Sequence, residues 1–99
     1  MITYTATADL VQRRLVMRFE EDNVGRCYIR MQDGVAGILI ILDEDIPSHL
    51  HTAIAVRYMH LVSDKIDDIC VNVLQKTNHF VKDTDFIEVW NKQDGFIGL

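Results

Sequence analysis

Residues 35–42 read Val-Ala-Gly-Ile-Leu-Ile-Ile-Leu, eight residues without one polar interruption. A membrane-spanning helix needs about 20 apolar residues, so this run is too short to cross a bilayer. Its length and β-branched content suit a strand. Alternation then sets Ile38, Ile40 and Leu42 on one face and Leu39 and Ile41 on the other. A strand apolar on both faces is a central one, and the rest of the chain has to supply its neighbours and its cover.

The neighbours are partly legible. Asp33-Gly34 precedes the run and is a type I′ turn signal, because that turn needs positive φ at both central positions. A two-residue loop there pairs Ile29 with Ile38 and Cys27 with Ile40, within a segment, Arg26 to Met31, that itself alternates. Upstream, Leu15, Met17 and Phe19 alternate with Arg14, Arg18 and Glu20, broken only by Val16, and Glu21-Asp22-Asn23 reads as a turn. Residues 14–42 are therefore expected to form a three-stranded antiparallel meander. A rival reading makes residues 9–22 a helix, since Val11, Leu15 and Phe19 fall at i, i+4 and i+8. With Ile2–Thr7 as a first strand, that gives a ferredoxin-like βαββαβ order.

The second half reads as helical. Asp45 or Ser48 can cap a helix with Pro47 in its first turn, and Leu50, Ala53, Ile54, Tyr58 and Leu61 run down it as a stripe. Ser63, followed by Asp64, Asp67 and Asp68, has the pattern of a second helix start, with Ile66, Ile69, Cys70, Val73 and Thr77 as its stripe. One long or two shorter helices are expected over 47–78. Phe86 to Trp90 then reads as a closing strand, and Asp94-Gly95 as a turn that brings Phe96-Ile97 back. Ninety-nine residues leave room for one core, so residues 1–99 are expected to form a single α+β domain.

Charge divides along the chain. Residues 1–42 carry five arginines against five acids, while residues 43–99 carry the whole of the net −5. An acidic balance disfavours wholesale binding to phosphate backbones, and nucleic acid is not the expected partner. No membrane association is expected either. The start, Met1-Ile2-Thr3-Tyr4, lacks the basic and apolar regions of a secretory signal. Cys27 and Cys70 sit in apolar-patterned segments without a CxxC spacing, which predicts two reduced, buried thiols. A cytoplasmic setting follows, in a host or an infected cell.

Chemistry-bearing clusters are few. Asp43, Asp45, His49 and His51 lie within nine residues, but His49 and His51 diverge on a helix, where zinc pairs use i, i+4 spacing. Ser48 and Ser63 look like caps, and Gly25, Gly34 and Gly37 fit turns and strand crowding. No metal and no cofactor are expected. Two features are less ordinary. In the meander register Arg18 faces Arg26 and Arg14 faces Arg30, around Tyr28, an arrangement that repels itself unless it binds anions or is neutralised. Leu39 and Ile41 point to the same outer face, and one helical layer cannot cover both sides of the sheet. Arg57 interrupts the stripe of its helix and is expected to snorkel outward or pair with an acid.

The expected function is thus a small non-enzymatic protein-interaction module, an inhibitor or accessory protein, acting as a homodimer or larger oligomer or on a protein partner. Its candidate binding residues are Arg14, Arg18, Arg26, Tyr28, Arg30, Leu39 and Ile41. The alternatives are an anionic-ligand or nucleic-acid binder through the arginine face, and a metal-dependent enzyme around residues 43–51.

Overall fold

The computed structural model describes residues 2–76 and 85–97. Among them a five-stranded mixed sheet carries two helices, and the chain is α+β with a C-terminal strand. Helix α1 covers residues 4–19, as α-helical Tyr4–Leu10, a π-helical stretch Val11–Leu15 and α-helical Val16–Phe19. The strands are β1 (Val24–Gln32), β2 (Val35–Leu42), β3 (Ile69–Leu74), β4 (Ile87–Asn91) and β5 (Gly95–Phe96). Helix α2 (Ser48–Leu61) and a 3-10 segment (Ser63–Asp68) join β2 to β3.

The β1–β2 hairpin forms in the expected register, with Ile29 opposite Ile38 and Cys27 opposite Ile40. Asp33 and Gly34 have φ of 54° and 79°, the paired positive angles of the two-residue turn. Gly95, at φ 75°, likewise opens the turn that pairs β4 with β5.

Residues 14–20 are not a strand. As far as Phe19 they continue α1, which starts earlier than the rival reading allowed, because Thr3 caps it: Ala6 N–H donates to Thr3 Oγ1 at 3.1 Å. The ferredoxin-like order falls with the same observation, since Tyr4–Leu10 is helical. Ala8, Val11, Leu15 and Phe19 are buried, a spacing that lengthens from three to four. An ideal α-helix drifts off one face at a repeat of four, and the wider π turn at Val11–Leu15 absorbs the drift. Met17, which the strand reading set beside Leu15 and Phe19, is 68% exposed.

The second correction lies after α2. Residues 69–74 are a strand, not part of a helix, and the 3-10 segment lasts only to Asp68. Buried Ile69, Val71 and Val73 alternate with exposed Cys70 and Asn72. Ile66, assigned to the helical stripe, is exposed, and Thr77 and 78 lie outside the described residues. Because β3 runs parallel to β2 through the α2 crossover, the sheet is mixed where an antiparallel one was expected. The strand order is β3-β2-β1-β4-β5.

Both helices share one core with the sheet face carrying Cys27, Ile29, Ile38, Ile40, Val71 and Val73. Phe19 packs edge-on against Tyr58 and Trp90 at its centre. Along α2 the buried residues are Ile54 and Tyr58, while Leu50 of the expected stripe is exposed.

Candidate functional site

The arginines of the expected anion site are split between two layers. Arg14 and Arg18 ride on α1, on the helical side. Arg14 donates to Asp64 at 2.6 Å and to the Leu61 carbonyl at 3.3 Å, closing the C-terminal end of α2 where a cation suits the helix dipole. This contact holds the Asp64 carboxyl below its ordinary range. Arg18 lies 3.8 Å from Glu21. Arg26, Tyr28 and Arg30 stay together on β1, but Arg26 pairs with Glu88 at 3.2 Å and Arg30 stacks 4.6 Å over the Phe86 ring. The four-arginine face depended on residues 14–18 being a strand, and it dissolves once they are a helix.

Leu39 and Ile41 are only 1% and 7% exposed in the single chain. Phe86 lies on the same sheet face, against the position a Cβ on Gly37 would occupy. These two residues therefore need no second chain for cover, and they are withdrawn as a docking surface. Arg57 does find its acid. It is hydrogen-bonded to Asp22, whose other oxygen accepts from the Tyr58 hydroxyl at 2.7 Å. Cys27 is buried as expected, with burial pushing its thiol far up, but Cys70 is exposed because it falls on the outer-facing phase of β3.

A concavity of about 610 Å³ opens where β1, β2 and β4 end, between Gly25, Arg26, Asp43, Glu88, Asn91 and Lys92. Lys76 lines it as well, while Arg26 is paired with Glu88 and Lys92 with Asp43. Lys92 Nζ donates to Asp43 at 2.7 Å, and Asn91 Nδ2 donates to Glu88 at 2.7 Å and to Asp94 at 3.3 Å. The Lys92 contact, with a smaller contribution from Lys76, lowers the Asp43 carboxyl, and Asp43 in turn raises Lys92. Both shifts move away from neutrality, whereas a general acid or base is tuned toward the working pH. These contacts fasten the sheet end. Asp43 is engaged by Lys92, and no group of three or more potential metal ligands gathers among the described residues.

A different place stands open. β3 is an outermost strand, and among the described residues nothing pairs with its outer side. A groove of about 380 Å³ runs beside it, between residues 70–73 and the flank of α2 formed by His51, Thr52, Ala55, Val56 and Met59. Val56 is 48% exposed there, and His51 Nε2 is buried without a hydrogen-bond partner among the described residues.

The chain matches no protein-family model, no curated protein and no solved structure. Its site is read from its own chemistry.

Edge strands usually carry devices that stop further pairing: a lysine, a proline, a bulge or a covering loop. Ile69–Leu74 carries no charge and no proline, and its ladder with β2 runs without a register break. Sequence reasoning missed this edge because a helical stripe was fitted through Ile69, Cys70 and Val73. The alternation of Ile69, Val71 and Val73 was the available signal.

Proposed function

We propose that this chain is a non-enzymatic protein-interaction module that accepts an extended segment along the outer edge of β3. The supporting observation is the uncharged, unbroken edge strand lying beside an apolar groove. In strand addition, main-chain hydrogen bonds supply affinity and every second side chain reads the partner. Here the added strand would set alternate side chains against Thr52, Val56 and Met59. An inhibitor or accessory protein works this way, by occupying or presenting a strand without chemistry of its own. Two free cysteines, one of them exposed, suit a reducing compartment such as the cytoplasm. No described helix is long and apolar enough to cross a membrane.

The test is a selection of 12-residue peptides from a random display library, against chain immobilised sparsely enough to keep copies apart. Amide shifts of the labelled protein then map the footprint of each selected peptide. The expected footprint covers residues 69–74 and the groove side of α2. A footprint on the sheet-end groove or the Arg26–Arg30 face, or no recovered binder, would contradict the reading.

A further inference from the structure

Given β3 as a strand-accepting edge, the reading on which this step rests, we infer that the strand it accepts is β3 of a second copy of this chain. Three observations select that occupant. The first is self-compatibility: with no charge between Ile69 and Leu74, two copies of the strand meet without repulsion. The second is the charge of its flanks. Asp67 and Asp68 precede the strand and Lys76 follows it, so antiparallel pairing sets each acidic flank against the partner's lysine. The third is the groove, whose exposed Val56 needs a neighbour.

Geometry fixes the register. A two-fold axis normal to the sheet keeps the helical layers of both copies on one side, so directly opposed residues must share a face. Centring the axis on Asn72 satisfies this condition. It places Val71 opposite Val73 of the partner subunit, Cys70 opposite Leu74 of the partner subunit, and Asp68 opposite Lys76 of the partner subunit. Centring on Val71 also preserves the faces, but it leaves Asp68 opposite Leu74 of the partner subunit and loses the charge match. With Asn72 on the axis, its exposed amide faces its own copy, and amide with amide is a self-complementary hydrogen-bonding pair. The sheet becomes continuous across ten strands. The two α2 helices come alongside above the joint, where Thr52, Val56 and Met59 add apolar area toward the roughly 1,200 Å² that stable interfaces bury.

The experiment joins light scattering with a cross-link at the axis. The unaltered chain is expected at twice the chain mass at micromolar concentration. Opposed residues of an antiparallel pair have Cα atoms about 4.5–5.5 Å apart, within the span of a disulfide. Asn72→Cys in a Cys70→Ser background is therefore expected to give a covalent dimer under mild oxidation. Both changed positions are exposed, so the fold tolerates them. As an independent measurement, Asn72→Lys and Asn72→Glu should each lose the dimer alone and regain it when mixed one to one. A monomer with no cross-link, on which display-selected peptides still map to residues 69–74, would overturn the second-copy inference and leave the strand-addition reading standing. A monomer without such peptides would overturn both.

Discussion

Truncating Ile40 to alanine is expected to lower the unfolding free energy by about 2–5 kcal/mol, a large share of what a domain of this size possesses. Ile40 has no exposed surface, and it is held between Cys27 of β1 and Val73 of β3 in the middle of the sheet. Neither neighbour can collapse into the vacated space, because each is fixed by its own ladder. The cost therefore combines lost transfer energy with a residual cavity. Urea unfolding reads the result as a fall in the midpoint with an unchanged slope. A loss below about 1 kcal/mol would move β2 away from the centre of the fold.

Asp22→Ala is the second large effect, expected at about 2–3 kcal/mol. The Asp22 side chain is only 7% exposed, whereas its partner Arg57 is 47% exposed. Loss of the ion pair alone would matter little at that exposure of the guanidinium. The larger share comes from Tyr58, which is fully buried and would keep a hydroxyl with no acceptor. Burial first, and Asp22 second, raise the Tyr58 phenol, so it remains a donor across the accessible pH range. Adding Tyr58→Phe to Asp22→Ala should recover part of the loss, since both halves of the hydrogen bond are then gone. Strict additivity of the two changes would show that Asp22 and Tyr58 are not coupled.

What could be read in advance tracks how local the determining physics is. The hairpin register came through because Asp33-Gly34 dictates its own turn and the apolar faces on either side agree with it. The closing strand and the turn at Gly95 were legible for the same reason. Residues 14–20 failed because seven residues can satisfy both a period of two and a spacing of four. Thr3, eleven residues upstream of Arg14, decides between them by capping a helix that runs through the whole segment. Residues 69–74 failed in the opposite sense. A helical stripe was drawn through them, yet β-branched Ile69, Val71 and Val73 pack better on a pleated surface, and the parallel place beside β2 is set by the α2 crossover.

The expected site residues inherited those errors. Arg14 and Arg18 left the sheet with their helix, and Leu39 and Ile41 are covered within the chain, while the edge left unpaired among the described residues lay in a segment read as helix. The general expectation, an interaction module with excess apolar surface, survives as a proposal at a different address.

Amide hydrogen exchange along β3 tests that address most directly. In a strand paired on one side only, successive amides point alternately toward the ladder and away from it. In dilute protein, every second amide of residues 69–74 should therefore exchange fast while its neighbours are protected by β2. Concentrating the protein should slow the fast set and leave the other unchanged. Six amides equally protected at every concentration would mean that the outer edge is already occupied, and would contradict the account.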